Sequence, residues 1–132
     1  MKLLAVSALM MMAFVVPTLA AGDATAGATV FKKCAACHAV GEGAKNKVGP
    51  ELNELFGRAA GSIEGYSYSK AVKEAGAGGL VWTEATLAEW IHKPKAFIAG
   101  TKMSFAGIED PVAVENLLAY LLTFSPNYTP AQ

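Results

Sequence analysis

Cys34, Cys37 and His38 stand within five positions of one another in the stretch FKKCAACHAVG, which holds both cysteines of the chain and one of its two histidines. Four chemistries use such a cluster: a disulfide, a redox dithiol, part of a zinc site, or covalent attachment of a haem. A disulfide at this spacing closes only a tiny loop and staples little of a fold. A thioredoxin-like dithiol needs a βαβ setting, which the sequence pattern lacks. A structural zinc site needs four ligands, and beyond these three only His92 or a carboxylate remains. Cys-x-x-Cys-His is the attachment pattern of a c-type haem. Two cysteines three apart lie on one side of a helical turn, so each can add across a vinyl group, and the adjacent histidine faces the iron.

An iron held by His38 on one side needs a ligand on the other, and the N-terminus narrows the choice. Residues 1–20, MKLLAVSALMMMAFVVPTLA, open with Lys2, continue as an apolar run and end in small residues. That is the pattern of a secretory signal peptide, with cleavage expected after Ala20. An uncleaved membrane anchor is the alternative, but a span needs about 20 apolar residues, and this run is shorter. Cleavage removes Met1, Met10, Met11 and Met12 and leaves Met103 as the remaining methionine. It lies in IAGTKMSFAG, a segment without helical period, where a thioether can be aimed without distorting a helix. Methionine more commonly fills gaps in a core, but a core methionine would more often lie on a helical stripe than among Gly, Thr and Lys. His92, at a helix end beside Lys93 and Pro94, is the rival ligand.

Bulk properties exclude some function classes. The 132 residues suit one domain. Loss of Lys2 takes the basic count from 11 to 10 against 11 acidic residues, so the exported chain, residues 21–132, carries a net charge of −1. That balance argues neither for nucleic acid nor for an anionic membrane surface, so charge-guided recognition must come from uneven placement; no nucleic-acid partner is expected.

The elements that must position these residues read as helices joined by Gly- and Pro-bearing loops. Asp23 is the N-cap of an expected helix through ATAGATVFKKCAACH, with Ala26, Val30 and Cys34 recurring every four residues. Residues 39–50 read as loop, ELNELFG as one or two short turns, and SYSKAVKEAG as a short helix stopping at Gly76, followed by a flexible connection at residues 75–79. Thr83 caps EATLAEWIHK, whose apolar face is Leu87, Trp90 and Ile91, and Pro94 ends that helix. Asp110 caps EDPVAVENLLAYLLTF with Pro111 in its first turn, and Val114, Leu117, Leu118, Leu121 and Leu122 form its stripe. No run alternates as a strand, so an all-α fold is expected.

With these residues assembled, the chain resembles class I cytochromes c, in particular the bacterial cytochrome c2 group and mitochondrial cytochrome c. The resemblance runs from about Gly22 to Phe124 and rests on GDATAGATVFKKCAACHAVG, KVGPELNELFGR, GYSYS, TKMSFAGI and LLAYL. It implies the all-α cytochrome c fold, helices wrapped around one haem c attached through Cys34 and Cys37, with His38 and Met103 as iron ligands. It further implies that the Pro50 carbonyl accepts a hydrogen bond from His38, and that Arg58 and Tyr68 hold a haem propionate. Thr101 and Lys102 would flank the distal ligand, and Gly27, Phe31, Leu117 and Tyr120 would join the first and last helices. Three departures stand out. Ala99 occupies the usual place of a proline, Trp90 that of a tyrosine, and EAGAGGLVW is longer than in the shortest members.

The implied function is that of a periplasmic one-electron carrier, not an enzyme, and a monomer with no small-molecule substrate. Its partners would be membrane redox complexes with acidic docking surfaces: a quinol-oxidising cytochrome bc complex as donor, and a terminal oxidase or photosynthetic reaction centre as acceptor. Seven basic residues close in sequence to the expected ligands, Lys32, Lys33, Lys45, Lys47, Lys93, Lys95 and Lys102, suit such docking. Two alternatives remain open: peroxidase-like activity through a labile Met103, and a membrane-tethered form that keeps its N-terminus.

Overall fold

The computed structural model describes residues 22–130. The signal-peptide expectation for residues 1–20 lies outside them. Five helices appear in order: α1 (Ala24–Phe31), α2 (Lys70–Ala77), α3 (Glu84–His92), α4 (Pro94–Phe97) and α5 (Pro111–Leu122). Among the described residues there is one isolated antiparallel bridge, Ala59 with Val81, and no strand. No helix there is long and apolar enough to cross a membrane.

Local chemistry starts each helix. The Asp23 carboxylate accepts from the amides of Thr25 and Ala26 at 2.8 and 3.2 Å, satisfying donors that have no partner inside α1. Ser69 does the same for α2 through Val72, and Asp110 for α5 through Val112. Thr83 and Thr86 cap each other reciprocally at the start of α3. Pro111 opens α5, where its missing N–H costs nothing.

Three expectations need correction. α1 ends at Phe31 rather than running on to His38. Residues 32–37 continue as turns, in which the amides of Lys32, Lys33 and Cys34 reach back three residues instead of four. Such bonds tighten the last turn of a helix. The connection expected at residues 75–79 is helical through Ala77. A Cβ built on Gly76 would overlap the Ala60 carbonyl, so the backbones meet there without a side chain between them. Pro94 not only ends α3; it also opens the short helix α4.

The core lies where α5 crosses α1 and α3, and the α1–α5 contact is the most extensive between helices. Leu117 is fully buried at this seam. The Phe31 and Tyr120 rings pack with centroids 5.4 Å apart. Gly27 permits the crossing, because a Cβ there would overlap the carbonyl of Asn116 and the Cβ of Tyr120. Trp82, Trp90 and Phe97 form a second aromatic cluster under α3 and α4. Among the described residues these helices leave a mainly apolar hollow, lined by the loop after α1 and the loop between α4 and α5.

Candidate functional site

The hollow is a cavity of about 410 Å³. All seven site residues expected from the sequence line it: Cys34, Cys37, His38, Pro50, Arg58, Tyr68 and Met103. His92, the rival ligand, does not. Its ring is exposed, and Nδ1 lies 3.2 Å from the Ile108 carbonyl.

On the proximal side, the amide of His38 donates to the Cys34 carbonyl at 2.9 Å. This single turn puts the Cys34 sulfur and the imidazole on the same side of the backbone. The Gly49 amide then donates to the Cys37 carbonyl at 2.8 Å, folding the following loop over the motif. A Cβ on Gly49 would overlap the His38 ring, so the loop backbone presses directly on the imidazole. His38 Nδ1 lies 2.7 Å from the Pro50 carbonyl. A carbonyl only accepts, so Nδ1 carries the proton and Nε2 keeps its lone pair for a metal. Burial, partly offset by this bond, lowers the pKa of His38 from its ordinary value. The ring is therefore neutral, as a ligand must be.

The cysteines are both free. Burial first, then proximity to Cys37, pushes the Cys34 thiol up to about 11. A redox dithiol needs a lowered pKa, and burial moves Cys34 the opposite way.

On the distal side, Met103 lies on residues 101–110, which have no regular structure. Its amide donates to Thr101 Oγ1 at 3.2 Å, while Lys102 Nζ donates to the Ser67 carbonyl and sits 4.6 Å from the centre of the Tyr66 ring. The far end of the segment is tied to α3, where the Ile108 amide donates to the Ile91 carbonyl at 2.9 Å. Met103 is thus aimed from a loop held at both ends.

Arg58 and Tyr68 supply polar groups in a mainly apolar lining, as do Lys33 and Lys102. Burial lowers the Arg58 pKa, but a guanidinium stays charged in any folded protein. The Tyr68 oxygen accepts from the Ile63 amide at 3.1 Å, leaving its own proton to donate, and burial keeps the phenol protonated. A flat apolar group bearing carboxylates fits this lining, which brings two thiols, an imidazole, a thioether and hydrogen-bond donors to one cavity. The volume is also in the range of cofactor pockets, about 300–1,000 Å³.

Sequence reasoning missed two contributors. Trp82 lines the cavity and packs 5.4 Å from Trp90; it lies in a short bridged segment with no periodicity to mark it. Gly49 was read only as part of a loop. The Gly-Pro pair at residues 49–50 was its one visible sign.

Comparison with known proteins gives consistent results. The family model described as Cytochrome c matches residues 24–125. The cytochrome c2 of Agrobacterium tumefaciens (strain II Chrys) is 52% identical over 111 residues, covering 84% of this chain and 99% of that protein. The cytochrome c-550 of Ancylobacter novellus is 54% identical over 103 residues, covering 78% of this chain and 96% of that one. Among solved structures, cytochrome c2 from Rhodospirillum centenum aligns with a TM-score of 0.77 at 39% identity, covering 80% of this chain and all of that one.

Proposed function

The chain belongs to the cytochrome c family, and from that premise we propose that it is a soluble periplasmic carrier with a His/Met-ligated haem. The family binds one covalent haem c, and Cys34 and Cys37 are the attachment cysteines of this chain. Its members are electron carriers, not enzymes.

In this reading His38 and Met103 are the iron ligands. The observation that supports it best is that these two residues and both cysteines line a single apolar cavity. Bound haem supplies a one-electron ferric–ferrous couple. With His38 and Met103 both holding the iron, no position would be left open for substrate, and the thioether would raise the potential relative to histidine or thiolate. The Pro50 carbonyl holds the imidazole in one tautomer and orientation. Arg58 and Tyr68 hold a propionate, and the aromatic cluster of Trp82 and Trp90 excludes water.

Residues 1–20 are a cleaved signal peptide, and residues 21–132 work in the periplasm. Lys33 and Lys102 line the cavity, while Lys93 and Lys95 line a neighbouring surface concavity that shares Ser104 and Phe105 with it. These lysines dock the protein, as a monomer, on acidic surfaces of a quinol-oxidising cytochrome bc complex. A terminal oxidase or reaction centre receives the electron.

Optical spectra and intact mass of the periplasmic protein test the reading together. A mass equal to residues 21–132 plus one haem, with a low-spin reduced spectrum and a sulfur–iron band when oxidised, is expected. A haem-free mass or a high-spin spectrum at neutral pH would refute it.

A further inference from the structure

Of the two ion pairs among the described residues, Lys70–Glu74 is exposed, whereas Arg58–Glu51 is largely buried, with side-chain exposures of 9% and 21%. Glu51 is held at every polar atom. Its amide donates to Asn46 Oδ1 at 2.9 Å, and its carbonyl accepts from Arg58 Nη1 at 3.0 Å. Carboxylate Oε2 accepts from the Asn53 amide at 2.7 Å, and Oε1 lies 3.4 Å from Arg58 Nη2. Nη2 also donates to the Asn53 carbonyl. Glu51 follows Pro50, whose carbonyl fixes His38, and it binds the guanidinium that lines the cavity.

We propose that Glu51 is a positioning residue that sets the redox potential: its carboxylate neutralises the Arg58 guanidinium, while its amide, bonded to Asn46, ties the Pro50 peptide that meets His38. The reason is electrostatic. Oxidation leaves one more positive charge at the iron, and a guanidinium beside the cavity opposes it. In a partly buried pair the opposing effect is poorly screened by solvent. A paired carboxylate cancels it and so favours the oxidised state, holding the potential down. Arg58 is thereby left free to hydrogen-bond without adding its full charge to the site. Sequence alone does not reveal this, because Glu51 reads as one carboxylate at the edge of a loop.

The inference rests on the haem reading above, and the test separates the two. The midpoint potential of the haem-loaded protein is measured by optical titration at fixed pH and salt for wild type, Glu51→Gln and Glu54→Gln. Glutamine keeps an oxygen to accept from the Asn53 amide but removes the charge. Glu54 is exposed and controls for loss of any one negative charge. The expected result is an upward shift for Glu51→Gln well beyond that of Glu54→Gln, with the sulfur–iron band retained in both. An unchanged potential, or equal shifts in the two variants, overturns the proposal, even if Glu51→Gln lowers unfolding stability. A wild type without haem or without the sulfur–iron band overturns the haem reading instead.

Discussion

The imidazole Nδ1 of His38 lies 2.7 Å from the carbonyl oxygen of Pro50, and the same ring is pressed by the backbone of Gly49. Burial lowers the His38 pKa below its ordinary 6.5. The unfolded chain therefore takes up the proton first as pH falls. The stability linked to this ring is present above pH 6.5 and is lost as pH drops through the lowered folded value. Guanidinium unfolding of the protein without haem, where no metal competes for Nε2, should show stability falling below pH 6.5 when measured between about pH 7.5 and about pH 4.5. Stability flat across this range would contradict a neutral buried imidazole.

Met103 and His92 give opposite outcomes. Met103→Leu keeps an apolar side chain of similar size, so the fold should survive, but the thioether is gone. The sulfur–iron band should vanish and the reduced protein should bind carbon monoxide. His92 is exposed and outside the cavity, so His92→Ala should leave both observations at wild-type values.

At Gly27 two effects compete. Replacing a helical glycine by alanine favours the helix by about 1 kcal/mol. Against that, the new methyl overlaps the Asn116 carbonyl, a backbone atom that cannot rotate away. Overpacking of this kind costs about 1–3 kcal/mol, and more where backbone must move. Gly27→Ala should therefore lower unfolding stability by about 2 kcal/mol net in denaturant titration, and Gly27→Val by more.

Ala99 sits at the second position of a turn closed by the Thr101 amide on the Ile98 carbonyl at 3.2 Å, with Gly100 at φ +90. Proline suits that position. The preceding Ile98 is already extended, with φ −128 and ψ 94, as a residue before proline must be. Ala99→Pro should raise stability by about 0.4–1 kcal/mol through the unfolded chain. It should also slow exchange of Met103 for added imidazole, measured by stopped-flow absorbance.

The lysines near the cavity are exposed and should act through encounter rate. Replacing Lys32, Lys33 and Lys102 with Glu should slow electron transfer to an acidic partner by about tenfold or more at low salt. The difference should shrink as ionic strength rises. Equal rates and equal salt slopes would remove this face from docking.

Much of the molecule was legible before the structure, and the pattern of what was not is physical. Sequence alone determined the haem motif and the caps at Asp23, Thr83 and Asp110. It also determined the apolar stripe of α5, because each of these depends on residues a few positions apart. It placed Met103 in an irregular segment by the same local logic. It misjudged where α1 ends, since the tightened turns after Phe31 leave no mark in apolar spacing. Only the tertiary structure decided that Cys34 and Met103 share one cavity and that Glu51 pairs with Arg58. Only it showed that Gly49 and Gly76 are close backbone contacts and that Lys102 reaches the Ser67 carbonyl. Those relationships join segments that meet only when the helices pack, so no local pattern encodes them. The chemistry was written in short spacings, while its geometry and electrostatics came from the chain closing on itself.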